Sequence, residues 1–326
     1  MIPALPIGVI GVGALGRHHA RHLAASPEAT LVGVFDIDRA RAREVAAACG
    51  CRAFKDLDEL LGLVRAATVA VPTQFHHEVG LRVLRRGVPM LMEKPLAATL
   101  PEADALIAEA ARRDVQLQVG HIERFNQALR AAEPLLHHPL YLESQRLSLF
   151  QPRGTDVAVV LDLMIHDLDL ILHLTGGAEA TDVRASGVAV LSQHLDMANA
   201  RVEFQGGVVA NVTASRVARD RVRRLRIFQA NGYLSLDLAT GRGDFMRLRD
   251  GWRPGISQEL SDIVEFIPLN APEADALSLE LHSFIHAVRG DREAVITGEE
   301  GRAALALALR VTDAVTTTPL PVHGGT

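Results

Sequence analysis

The chain has 326 residues, about twice an ordinary domain, so two domains are expected before any motif is read. With 48% hydrophobic and 22% charged residues and no repeat or low-complexity tract, its composition is that of a globular protein. A net charge of -5 gives no electrostatic reason to expect nucleic acid or a membrane as partner.

The apolar start from Ile2 to Leu15 lacks a basic leader and is broken by Gly8, Gly11 and Gly13. It fits neither a signal peptide nor a membrane span, so a cytoplasmic protein is expected. The two cysteines, Cys49 and Cys51, suit neither a disulfide framework nor a four-ligand zinc site, and no metal is expected.

From Pro6 to Gly120 short apolar runs alternate with amphipathic stretches, the pattern of a parallel sheet with crossover helices. Strands are predicted at Ile7 to Ile10, Leu31 to Phe35, Ala67 to Val71, Pro89 to Met92 and Gln116 to Val119. Helices are predicted at Arg39 to Ala48, His76 to Arg86 and Glu102 to Arg113. The fold class is therefore α/β, with an N-terminal Rossmann domain built on a doubly wound parallel sheet.

Gly11-Val12-Gly13-Ala14-Leu15-Gly16 follows the first strand and opens a helix. In that context Gly11 permits a tight turn, Gly13 lets the backbone approach a pyrophosphate, and Gly16 allows close packing of helix on strand. The helix N-terminus offers N–H groups and positive potential to phosphates. Asp36, twenty residues beyond Gly16, is placed to accept the ribose hydroxyls of NAD and to repel the extra phosphate of NADP. Pro72 and Thr73 follow a strand at the crevice of such a sheet, which puts Pro72 to His76 beside the nicotinamide half. His18, His19 and His22 lie on the helix after the phosphate turn and read as packing or solvent-exposed groups. His282 and His286, an i, i+4 pair with no partner in reach by sequence, read as structural.

After Gly120 the pattern changes to longer alternating strands at Tyr141 to Leu149, Ala200 to Phe204, Val208 to Ala214, Arg223 to Gln229 and Tyr233 to Leu238, with Asn231-Gly232 as a hairpin signal. Closing helices are expected at Leu277 to Val288 and Gly301 to Val315. This predicts residues 1–121 as the NAD-binding domain and 122–326 as an α+β domain with an open, largely antiparallel or mixed sheet, for substrate binding and oligomerisation, although the final helix could pack back against the first domain.

Of 34 basic side chains only Lys55 and Lys94 are lysine, so each is a candidate for work that arginine cannot do. Lys55 sits in the acidic stretch Asp56 to Glu59, as a surface residue does. Lys94 sits between Glu93 and Pro95 after a buried-looking strand. From Leu161 to Leu174, Asp162, His166, Asp169 and His173 fall on one helical face, and an imidazole beside a carboxylate in a semi-buried place is a suitable general base.

Taken together, Gly11 to Gly16 with Asp36, Glu93-Lys94-Pro95, and Asp162 followed by His166 resemble the glucose-fructose oxidoreductase, inositol dehydrogenase and MocA family over nearly the whole chain. The resemblance implies that Lys94 and His166 are catalytic and that Asp162 holds the substrate and assists. It adds Glu93 to a cofactor set of Gly11, Gly13, Ala14, Leu15, Gly16, Asp36, Pro72 and Thr73. It also implies a homodimer or homotetramer formed through the exposed face of the second sheet. Met164 stands where many members have glycine and Gln127 where relatives often have proline.

The implied reaction is oxidation of a secondary sugar alcohol by NAD. His166 takes the hydroxyl proton while Lys94 orients the oxygen and stabilises its developing charge, or the two residues exchange these roles. Gly120 to Asn126 and Arg153 to Val157 resemble the UDP-N-acetylglucosamine 3-dehydrogenase branch, whose 3-keto product is transaminated for lipid A with an amide-linked sugar. An aminotransferase is then a functional partner. Arg124 and Arg153 are expected at the substrate, with Arg146 near the same crevice, because guanidinium suits a diphosphate; the alternative for any one of them is a salt bridge at the domain interface. The run from Arg216 to Arg226 reads as a solvated strand edge. Alternatives are an inositol or free-sugar dehydrogenase and a non-catalytic NAD- and sugar-binding sensor.

Overall fold

A computed structural model describes residues 3–150, 157–253, 255, 259–291 and 295–316. In chain order the elements up to residue 120 are β1 Leu5–Ile10, α1 Gly16–Ala25, β2 Ala29–Phe35, α2 Arg39–Cys49, β3 Arg52–Phe54, α3 Leu57–Leu61, β4 Ala66–Val69, α4 His76–Arg85, β5 Met90–Glu93, α5 Leu100–Arg113 and β6 Leu117–Gly120. There follow α6 Gln127–Ala132, β7 Tyr141–Leu147, α7 Ile165–Leu174, β8 Ala180–Val188, β9 Met197–Phe204, β10 Val209–Ser215, β11 Val222–Gln229, β12 Gly232–Asp237, β13 Arg242–Leu248, α8 Leu260–Ile263, β14 Val264–Leu269, α9 Ala276–Arg289 and α10 Gly298–Thr316.

The first sheet is parallel throughout in the order β3-β2-β1-β4-β5-β6, the doubly wound arrangement that the alternating pattern predicts. Its strands are buried on both faces, with Ile7, Val9 and Ile10 fully enclosed. Local chemistry sets the helix ends. Asp38 caps α2 through the backbone N–H groups of Ala40 and Arg41, and Thr99 with Glu102 forms a capping box on α5.

The second sheet has eight strands in the order β14-β13-β12-β11-β7-β10-β9-β8 and is antiparallel except for β7 with β10. A predicted hairpin joins β11 to β12, with its turn one residue earlier than the Asn-Gly signal. Gln229 pairs with Gly232, so Ala230 and Asn231 form the turn.

The chain divides into two compact units, Met1–Ile122 with Ala274–Leu305, and Glu123–Glu273 with Ala306–Thr326. This departs from the expected division into 1–121 and 122–326, because residues 274–305 return to the first unit. The physical reason lies in α9, whose Leu281, Phe284 and Ile285 complete an apolar cluster with Ile7, Val9, Ala20 and Leu23. Ile296 and Thr297 then pair with β6 through Val119 and Gln118.

Candidate active site

In the first unit the glycine turn lies between β1 and α1, and its three glycines do different work. Gly11 has φ +82°, and a Cβ there would press on the Ala70 backbone at 2.8 Å, so only glycine fits. A Cβ on Gly16 would overlap the Gly11 carbonyl, which fixes how closely α1 approaches the strand. A Cβ on Gly13 would meet nothing within 4 Å, so the hydrogen there keeps open space above the helix N-terminus. Ala14 and Leu15 continue that turn, Leu15 being 45% exposed.

Asp36 follows β2 and is buried at 6% exposure. One carboxylate oxygen accepts from the Val12 N–H at 2.9 Å and the other from the Asp38 N–H at 2.8 Å, so Asp36 holds the turn with the edge that would accept a ribose. Arg41 stands 3.7 Å away, and Ile37 beside it is 85% exposed. An open phosphate seat, a bare helix N-terminus and a carboxylate at the end of β2 together fit a dinucleotide.

Across the same sheet Glu93 ends β5. Its Oε1 lies 2.9 Å from His19 Nε2, and its Oε2 accepts from the Lys94 N–H at 3.2 Å. Burial pushes the Glu93 carboxyl up, but the His19 hydrogen bond and the charge of Lys94 hold it below the ordinary carboxylate value. Glu93 thus pins α1 to the segment carrying Lys94, a positioning task that sequence spacing did not reveal.

His76 at the start of α4 ties down the other side of that segment. Its Nδ1 lies 2.8 Å from the Pro95 carbonyl and its Nε2 2.9 Å from the Val71 carbonyl, joining the turn at Pro72 and Thr73 to the residue after Lys94. Burial lowers its pKa against the pull of both carbonyls and of Glu93. A neutral ring donates to only one of these acceptors at a time. The Lys94-Pro95 peptide is cis, and Lys94 itself is half-buried.

In the second unit Asp162 and His166 come from different helical geometries. Val160–Met164 is a turn of π-helix carrying Asp162, and α7 begins directly after it, so His166 stands in the first α turn. Wide turns of this kind interrupt helices at functional sites more than elsewhere. Both side chains are half-buried.

The four-residue stripe divides. Asp169 accepts two hydrogen bonds from Arg124, each 2.8 Å, and His173 Nδ1 lies 3.0 Å from the same guanidinium. Arg124 is 5% exposed. This buried fork is a salt bridge within the second unit and gives no support to the expectation that Arg124 grips a diphosphate. Arg153 and the segment around it lie outside the described residues.

Arg146 on β7 is likewise enclosed. It donates to both Asp167 oxygens at 2.7 and 3.1 Å and to Glu123 Oε1 at 2.7 Å. Burial opposes its charge, yet the two carboxylates raise its pKa. Arg216 is buried as well, donating to the carbonyls of Val157 and Leu195 and pairing with Asp196 at 3.1 Å.

Beside these pairs a cavity of about 190 Å³ is lined by Asp162, Arg146, Ser148, Arg216, Arg221 and Arg223, with neighbouring leucines. Reading the arginine run as a wholly solvated edge is therefore corrected for Arg216, which is buried, and for Arg223, which is half-buried. For Arg223 the missed signal was alternation: odd positions of β11 share a face with the buried Leu225, Ile227 and Gln229.

His282 and His286 also find partners that sequence did not place near them. Glu28 lies 3.2 and 3.0 Å from their Nε2 atoms, and Asp291 lies 2.9 Å from His286 Nδ1. His19 is a buried packing group and His18 an exposed one, as expected. Among the described residues no helix is long and apolar enough to cross a membrane.

A doubly wound sheet with a dinucleotide turn, followed by a unit built on an open mixed sheet, defines a two-part oxidoreductase. Residues 5–121 match the model for the GFO/IDH/MocA oxidoreductase family, NAD-binding Rossmann fold, and residues 137–235 match that for the GFO/IDH/MocA C-terminal domain. The chain belongs to this family of NAD-dependent oxidoreductases. It is 43% identical over 309 residues to UDP-N-acetylglucosamine 3-dehydrogenase of Acidithiobacillus ferrooxidans, covering 94% of this chain and 96% of that protein. A solved structure of the Acidithiobacillus enzyme superposes with a TM-score of 0.90 at 42% identity, over 97% of this chain and 99% of the other. Myo-inositol 2-dehydrogenase of Thermotoga maritima is 27% identical, over 92% of this chain and 93% of that protein.

Proposed function

We propose that the chain oxidises UDP-N-acetylglucosamine at its 3-hydroxyl to the 3-keto sugar. The likeness to the Acidithiobacillus enzyme carries this reading, because at 43% identity it covers 94% of this chain. Bound NAD supplies the hydride acceptor. Gly13 would leave room for its pyrophosphate, and Asp36, held by the Val12 N–H, would accept from its ribose hydroxyls. Asp162 holds the sugar, and His166 takes the proton of the reacting hydroxyl. Lys94, steadied between Glu93 and the His76-bound Pro95, orients that oxygen and stabilises its growing negative charge. These residue roles support a catalytic protein over a non-catalytic sensor.

The product's ketone is a substrate for transamination, so an aminotransferase in lipid A amino-sugar synthesis is the proposed next enzyme, in the cytoplasm. The proposed assembly is a homo-oligomer through the open face of the second sheet. Across that face Val209, Tyr141, Phe228, Tyr233, Met246 and Phe266 stand in register on six adjacent strands. Phe228 is 38% and Phe266 58% exposed, a contiguous apolar row of the sort that marks an interface.

The test is to mix protein with NAD and UDP-N-acetylglucosamine, follow NADH, and identify the product by mass spectrometry, with the aminotransferase added to draw off the ketone. NADH and a product two mass units lighter are expected. NADH from inositol or free glucose, with none from the nucleotide sugar, overturns the reading.

A further inference from the structure

The cavity of the second unit is lined by two chemically different sets of groups. One is the Asp162 carboxylate on the π-helical turn, and the other is a set of arginines on β7, just after β10 and around the start of β11. These arginines are not equivalent. Arg146 has all three guanidinium nitrogens on Asp167 and Glu123, and Arg216 is bonded to two carbonyls and Asp196. Both are architectural.

Arg223 is different. It sits directly opposite Arg146 in the antiparallel register, a placement that like charges disfavour. Its share of Glu123 is a 3.5 Å contact to the oxygen that already binds Arg146 at 2.7 Å. Its side chain is 41% exposed, and burial together with the charge of Arg146 pulls its pKa down. Arg221, two residues earlier in the same lining, is exposed and has no carboxylate partner among the described residues. The fold therefore presents two guanidinium groups to the cavity whose charge its own carboxylates leave under-compensated.

We propose that Arg221 and Arg223 bind the diphosphate of a nucleotide sugar, whose hydroxyl-bearing ring lies toward Asp162. The inference rests on the nucleotide-sugar reading above and names the side chains that select such a substrate over a free polyol. Paired planar forks suit a diphosphate, which offers acceptor oxygens on two adjacent phosphorus centres, whereas inositol offers no anion to them. The Asp162 carboxylate in the same lining suits sugar hydroxyls, which donate to it, and repels a phosphate.

The experiment measures binding of UDP and of uridine by calorimetry with NAD saturating, so that the dinucleotide site is filled. The unmutated protein should bind UDP at least tenfold more tightly than uridine. Arg221→Ala and Arg223→Ala should each weaken UDP by about 10- to 100-fold, the worth of a charge-assisted hydrogen bond, with NAD affinity and melting temperature unchanged. Arg223→Lys should fall between. Arg224→Ala, on the opposite face of β11, should bind UDP as the parent does. No preference for UDP over uridine, or variants that bind UDP like the parent, overturns the proposal. Should the parent oxidise the nucleotide sugar while both variants keep its KM, the cavity assignment falls and the activity stands. Should UDP bind through these arginines while only inositol is oxidised, the activity reading falls and the cavity stands.

Discussion

The first unit prepares its ligand site largely with backbone, whereas the second prepares its own with charged side chains taken out of water. Around the glycine turn the working atoms are N–H groups, a helix end and space left by a missing Cβ, organised by one carboxylate. Around Asp162 and His166 the supports are Arg124 with Asp169, Arg146 with Asp167 and Glu123, and Arg216 with Asp196. Backbone sites are cheap to bury because sheet and helix already satisfy their polar groups. Buried ion pairs add little net stability, but each holds its members in a single geometry and fails severely when halved.

Lys94 is the exception that tests this contrast first, as a side chain set to work on the backbone-built unit. Lys94→Met, and likewise His166→Asn on the other unit, should slow turnover by ~10²- to 10⁴-fold with NAD binding retained, read by steady-state kinetics and by calorimetry. Near-normal turnover removes that residue from the chemistry.

Halving a buried pair comes next. Arg146→Met removes both guanidinium bonds of the buried Asp167 and the shortest bond of Glu123, and should destabilise the protein by about 3–5 kcal/mol in denaturant unfolding. Breaking the exposed Arg302–Asp104 pair by Arg302→Met should cost under about 1 kcal/mol. Equal effects would erase the distinction between the two kinds of pair.

The glycines separate ligand space from packing. Gly16→Ala drives a methyl into the Gly11 carbonyl and should lower stability by about 1–3 kcal/mol. Gly13→Ala meets no protein atom and should leave the unfolding midpoint in place while weakening NAD in a titration.

The smallest effect is one of pH. Burial pushes the Asp196 carboxyl up, but the N–H groups of Val190, Leu191 and Ser192 and the Ser192 hydroxyl bring it down to about 2. A folded pKa below the unfolded value of about 3.9 stabilises fully above the latter and fades as pH falls toward 2. Asp196→Asn should flatten the stability curve between those values. An unchanged acid limb would show that this carboxylate carries none of it.

The same contrast explains what the sequence disclosed. A glycine turn, a carboxylate at fixed distance and a strand-to-helix rhythm are local, so β1, β2, β4, β5 and β6 and the turn between β1 and α1 were all legible. β3 has only three residues, too few for a periodic signal. The pairs that frame the second site join positions 20 to 45 residues apart, as in Arg216 with Asp196 and Arg124 with Asp169, and no local pattern announces them. A regular helical count through Leu161 to Leu174 grouped Asp169 and His173 with Asp162 and His166. The π turn and the Arg124 fork divide that group.

The return of residues 274–305 to the first unit also bears on how the chain is made. Synthesis from the N-terminus delivers the whole parallel sheet early, with Leu23 and Ala20 of α1 and Val9 of β1 still lacking Leu281, Phe284 and Ile285 of α9. Until more than four-fifths of the polypeptide has left the ribosome, that unit carries an uncovered apolar seam. A chain stopped anywhere before α9 leaves the seam open, so closure of the dinucleotide fold waits on a helix encoded far downstream of the glycine turn.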